Sequence, residues 1–101
     1  MIIVEFSVVP VGTGSTSVSD YVSRACREVE KSGVHYTITP MGTVFEADTI
    51  GKAFEVVKKA HEAVIRAGVA RVVTTIKVDD RRDKERRMED KVKAVKVKSR
   101  R

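Results

Sequence analysis

Val34-His35-Tyr36-Thr37-Ile38-Thr39-Pro40-Met41-Gly42-Thr43-Val44-Phe45-Glu46-Ala47 is the stretch on which the fold turns. Apolar and polar residues alternate through 34–39. Val34, Tyr36 and Ile38 therefore share one face of a strand, and His35, Thr37 and Thr39 share the other. Pro40-Met41-Gly42 turns the chain, and residues 43–47 return as the second strand of a hairpin. A two-residue turn at Met41-Gly42 pairs Ile38 with Phe45 and Thr37 with Glu46. Helical periodicity flanks the hairpin on both sides. Upstream, Val18, Tyr21, Val22, Ala25 and Val29 recur at helical spacing, with Ser17 and Asp20 as a capping box and Lys31 and Gly33 as the stop. Downstream, Asp48 or Thr49 caps a helix whose buried stripe is Ile50, Ala53, Phe54, Val57, Ala60, His61 and Val64, ended by Gly68 after Arg66.

Beyond these helices lie two more alternating runs. Residues 2–9 put Val4, Phe6 and Val8 against the helices and Glu5, Ser7 and Val9 outward; Pro10 ends the run or marks an edge. Residues 70–79 form the last strand, with Val73, Thr75 and Lys77 outward, and a third helix is expected from Arg82 with Met88, Val92 and Val95 as a thin apolar seam. The order β-α-β-β-α-β plus a C-terminal helix predicts an α+β, ferredoxin-like antiparallel sheet. Two helices cover one face and leave the other uncovered.

At 101 residues the chain is expected to be a single domain, 1–101, with 80–101 as a basic C-terminal helix or tail. The lone cysteine, Cys26, excludes an internal disulfide and a multi-cysteine zinc site. No run of 18 apolar residues exists, and Glu5 follows closely on an N-terminus without a basic region. The expectation is a cytoplasmic protein with no membrane partner. The formal charge of +6 is confined to residues 80–101, which hold eleven bases and five acids, while residues 1–79 balance to zero. That distribution, and a tail with no aromatic residue, argues for a solvated helix over nucleic-acid binding.

The uncovered face mixes Val9, Val44 and Val73 with hydroxyls and two carboxylates, Glu5 and Glu46. Such a surface suits a subunit interface or a small-molecule site. Glu46 accepts from an amino or ring N–H, and because an unpaired buried carboxylate is costly, a donor is expected there. The Gly12-Thr13-Gly14-Ser15-Thr16 loop precedes a helix and reads as a connection or a weak anion cradle without the lysine of a P-loop. His61 reads as a core or interface histidine. Asp79-Asp80-Arg81-Arg82-Asp83 reads as an inter-subunit ion-pair network. No nucleophile triad or carboxylate pair is readable, so no enzyme is expected, and neither is a cofactor.

Three stretches resemble the YkoF-like thiamine-binding protein family. They are Val8-Val9-Pro10-Val11-Gly12-Thr13-Gly14 with Ser17-Val18-Ser19, Thr39-Pro40-Met41-Gly42-Thr43 with Glu46, and Ile76-Lys77-Val78-Asp79-Asp80-Arg81-Arg82-Asp83. The resemblance runs over about residues 2–95. It implies a ferredoxin-like fold assembled into dimers or tetramers through sheet faces or edges. It also implies a ligand such as thiamine or its hydroxymethyl-aminopyrimidine half, held between subunits. By position, Glu46 takes the pyrimidine amino group, Thr37, Thr39 and Thr43 line the pocket, Met41 contacts the ring, and Ser17 and Ser19 approach from the loop and helix start. Ser7 on the outward face and Gly42 in the matched turn complete the set. The alternative is a structural or regulatory oligomeric protein with no thiamine ligand.

Overall fold

The computed structural model describes residues 1–100. Its elements run β1 (Ile2–Val11), α1 (Ser19–Lys31), β2 (Tyr36–Thr39), β3 (Gly42–Ala47), α2 (Ile50–Arg66), β4 (Arg71–Asp80) and α3 (Met88–Ser99). The sheet order is β2-β3-β1-β4 with every neighbour antiparallel, which is the ferredoxin-like arrangement expected from the element order. β1 is central. It pairs with β4 along its whole length, from Ile2↔Asp80 to Val11↔Arg71, and with β3 only from Ile2 to Phe6. Pro10 lies beyond the last β3 partner, where its missing N–H breaks no ladder on that side.

The core follows from the period-two pattern. Ile2, Val4, Phe6 and Val8 from β1 and Phe45 and Ala47 from β3 are buried against Ala25 and Val29 of α1 and Ala53, Val56, Val57, Ala60 and Val64 of α2. Phe6 and Phe45 meet edge to face at 5.9 Å between ring centroids. Burying each of these larger side chains contributes about 1.5–3 kcal/mol. Thr49 caps α2 by accepting from the Lys52 N–H at 3.0 Å, and Gly68, at φ +96°, follows its C-terminus.

Several expectations need correction. The hairpin turn is Pro40-Met41, so Thr39 pairs with Gly42, Thr37 with Val44 and Tyr36 with Phe45. The register differs by two residues from the expected one, which leaves the faces unchanged. The Thr39 hydroxyl sets this turn: it accepts from the N–H groups of Met41 and Gly42 and donates to the Gly42 carbonyl. Ser17 does not cap α1. The N-cap is Val18, without a side-chain cap bond. On α2 the buried stripe takes in Val56, while Phe54 is 52% exposed and Ile50 also reaches the surface. The helix packs against α1 as well as the sheet, and this turns Val56 inward and Phe54 toward the flank of β4. The third helix starts at Met88. Residues 81–87 stay non-helical, and within 80–83 Arg82 folds back on Asp80 and Arg81 on Asp83.

Gly42 sits where β3 approaches β1. A Cβ there would stand 2.7 Å from the Phe6 carbonyl oxygen, whereas at Gly51 in α2 it would meet nothing closer than 3.9 Å. Gly42→Ala is expected to destabilise the fold by about 1–3 kcal/mol through overpacking, and Gly51→Ala to stabilise it by about 0.5–1 kcal/mol. Urea midpoints of the two variants check both signs.

Candidate functional site

The face opposite α1 and α2 presents Thr37 and Thr39 from β2, Val44 and Glu46 from β3, Ile3, Glu5, Ser7 and Val9 from β1, and Val73, Thr75, Lys77 and Asp79 from β4. The register lines them up in rows. Thr37, Val44, Glu5 and Lys77 form one row. Glu46, Ile3 and Asp79 form the next, which His35 extends by accepting the Glu46 N–H with its carbonyl at 3.0 Å.

This face is not uncovered. α3 crosses it, held by polar contacts to that second row. The Glu46 carboxylate accepts from the Arg87 guanidinium at 2.6 Å on Oε1 and from the Met88 backbone N–H at 2.7 Å on Oε2. Glu89 meets His35, and Lys91 meets Asp79. Glu46 is only 1% exposed, so its charge is met by protein donors alone. Met88 is the first residue of α3, and its N–H is one of the amides that a helix N-terminus leaves unpaired. A carboxylate there also faces the positive end of the helix dipole. Asp90 turns back to accept the Arg87 N–H at 3.0 Å and fixes the same end.

α3 buries no residue of its own and stands off the sheet. A cleft of about 640 Å³ opens between them. Ile3, Glu5, Thr37, Thr39, Val44 and Lys77 line its floor, and Met88, Val92 and Lys96 contribute to its roof. The volume falls in the range of ligand sites, and the lining combines an apolar floor with a few polar groups.

The nine candidate residues divide among four places. Thr37 and Thr39 line the cleft, and Glu46 lies in the next row beneath the start of α3. Ser7 is on the same face one row beyond Glu5, opposite Thr75. Thr43 is on the other face, buried with its hydroxyl 3.6 Å from the Cys26 Sγ. Met41 stands 86% exposed at the hairpin turn, beside Gly42. Ser17 and Ser19 lie at the start of α1, in the opposite layer. Arg87 and Met88, the groups that occupy Glu46, were not legible as partners. α3 has almost no amphipathic pattern, and no spacing links residue 46 to residue 87. The ion pairs expected between subunits at 79–83 form within the chain, as Asp80–Arg82, Asp83–Arg81 and Asp79–Lys91. His61 donates to or accepts from Thr74 at 2.6 Å, on the α2 flank of β4.

Hydrogen bonding to His35 holds Glu89 below the usual carboxylate range, and hydrogen bonds from Arg82 and Arg81 do the same for Asp80 and Asp83. A carboxylate depressed in the folded state binds fewer protons there than when unfolded. Its contribution is therefore complete at neutral pH and is lost as pH falls through the folded-state value. Acidification from pH 7 to about 3 is expected to lower the urea midpoint, with less change in a Glu89→Gln, Asp80→Asn, Asp83→Asn triple variant.

The family model for thiamine-binding proteins matches residues 4–96. A UPF0045 protein of Methanothermobacter thermautotrophicus is 51% identical over 98 residues, covering 97% of this chain and 99% of that protein. The UPF0045 protein YqgV of Bacillus subtilis is 36% identical over 99 residues, covering 94% of each. Among solved structures, a protein from Methanocaldococcus jannaschii superposes with TM-score 0.87 at 38% identity, over 94% of this chain and 95% of that one. A proposed thiamine biosynthesis/salvage protein from Thermotoga maritima superposes with TM-score 0.76 at 20% identity, over 93% and 97%, and so shares the fold. With the match spanning nearly the whole sequence, the chain belongs to the thiamine-binding protein family.

Proposed function

We propose that this protein binds thiamine, or its hydroxymethyl-aminopyrimidine half, without catalysis, in the cleft between α3 and the sheet. The family match supports the ligand class, and the cleft is the observation that carries the location. Its floor offers a carboxylate at Glu5 and a hydroxyl at Thr37, set among Ile3 and Val44, while the Thr39 hydroxyl is taken up by the hairpin turn. A flat ring with N–H donors finds there acceptors for the donors and apolar surface for the ring. Lys77 opposite Glu5, and Lys91, Lys93 and Lys96 around the same cleft, favour the neutral pyrimidine half over the thiazolium on this floor. Glu46, in the adjoining row, has both oxygens taken by Arg87 and the Met88 N–H, so it anchors an aminopyrimidine edge only when the start of α3 is displaced. Thr43, buried on the other face, has no part in this site.

The protein assembles as a homo-oligomer in this reading. Among the described residues β4 pairs with β1 on one side and with no strand on the other, which leaves a ten-residue edge. Phe54 and Ile50 are exposed on α2, and Phe54 flanks that edge beside His61 and Thr74. Native proteins rarely leave a long edge next to apolar surface unpartnered. A second copy pairing there favours, as a second reading, an assembly module with no thiamine ligand.

Thermal unfolding with thiamine, thiamine pyrophosphate and the aminopyrimidine alcohol separates the two readings. A ligand at 100 times its Kd adds about 2.7 kcal/mol to folded-state stability. Thiamine or the alcohol is expected to raise Tm, and Thr37→Val with Glu5→Gln to reduce that rise. No rise with any of the three, in protein shown by light scattering to be oligomeric, leaves the assembly module.

A further inference from the structure

We infer that Arg87 and the Met88 N–H are an internal stand-in for ligand at Glu46, so that a ligand reaching this carboxylate must release the start of α3. The inference rests on the proposed binding role and adds a closed, self-occupied state to it. One donor sits on each oxygen of a carboxylate that is otherwise sealed from water: the Arg87 guanidinium on Oε1 and the Met88 N–H on Oε2. Two donors against two oxygens is the pattern that an amidine or aminopyrimidinium edge presents. The carboxylate therefore has no room for a ligand of this kind while α3 is docked.

The rest of α3 is built to let go. None of its residues is buried, and Val92, Val95 and Val97 are each more than half exposed. Its remaining ties to the sheet are the ion pairs Glu89–His35 and Lys91–Asp79, both between half-exposed side chains. Such pairs are weak and screened by salt. Residues 81–87 connect α3 to β4 without helix or strand, so the helix can swing while the sheet stays intact. Release would uncover Glu46 beside the cleft floor of Ile3, Glu5 and Thr37, giving the ligand a second carboxylate. Apparent affinity is then lowered by the fraction of molecules in which α3 is closed.

The Met88 amide is the reporter, because its protection from exchange depends on the Glu46 bond. Hydrogen exchange is measured in the free protein, with millimolar thiamine, and separately with acetamidinium chloride against sodium chloride of equal ionic strength. Thiamine and acetamidinium are each expected to reduce Met88 protection by about tenfold beyond the smaller loss that sodium chloride of equal ionic strength causes by screening. Arg87→Ala, at a side chain that is 55% exposed, is expected to bind thiamine about tenfold more tightly. A Met88 amide that exchanges freely in the unliganded protein, or protection unmoved by either cation, overturns the inference. So does thiamine binding with both Met88 protection and the Arg87→Ala affinity unchanged, a result that leaves the binding role standing. Opening by acetamidinium with no thiamine binding supports the inference and removes thiamine as the ligand.

Discussion

A carboxylate buried in a sheet must be met by donors, and in this protein that requirement places the whole C-terminal layer. Glu46 lies on a β3 face that α1 and α2 do not reach, yet it is shut off from water. The start of α3, lying directly above it, supplies both a backbone N–H and, from the preceding Arg87, a guanidinium. The position of α3, the roof of the cleft and the pairing of His35 and Asp79 all follow from that one contact. The hydrophobic core is arranged independently of it. Val4, Phe6, Phe45 and the α2 stripe are assembled on the other face and owe nothing to α3.

This division explains what could be read from the residues alone. Alternation in 2–9, 34–47 and 70–79 gave the four strands and their faces, because a period-two pattern survives any even shift in register, but the bounds moved by one or two residues and Ile38, on the helix side of the edge strand, is 58% exposed. The turn itself was misplaced, since its position depends on one hydroxyl, Thr39, choosing the Met41 and Gly42 amides. Thr49 and Gly68 marked the ends of α2 through local chemistry. Ser17 carried the same kind of signal and failed: the helix starts at Ser19 with Val18 at the N-cap position, which leaves Ser17 one residue too early. Phe54 was assigned to the core on periodicity, but whether a residue on the border of a stripe is buried depends on the neighbouring helix.

The candidate site was legible where it lies within one strand pair and illegible where it spans the chain. Thr37, Thr39, Glu5 and Glu46 fall on one face by parity alone. The roof could not be foreseen, since α3 is attached by charge and not by an apolar stripe. Polar docking of this sort leaves no periodic trace.

The sheet topology has a mechanical consequence. Ile2 and Asp80 are register partners, so the N-terminus and the start of the C-terminal segment leave the sheet at the same end of adjacent antiparallel strands. Tension applied between the two ends of the chain would first strip α3, none of whose own residues is buried, and then open the β1–β4 ladder from Ile2 toward Val11. Each step would load one pair of hydrogen bonds at a time, in unzipping and not in shear. A protein of this fold tethered by its ends would therefore yield at low force, and β4, held by a ladder on one side, would be the first strand to go, while β1 stays paired with β3.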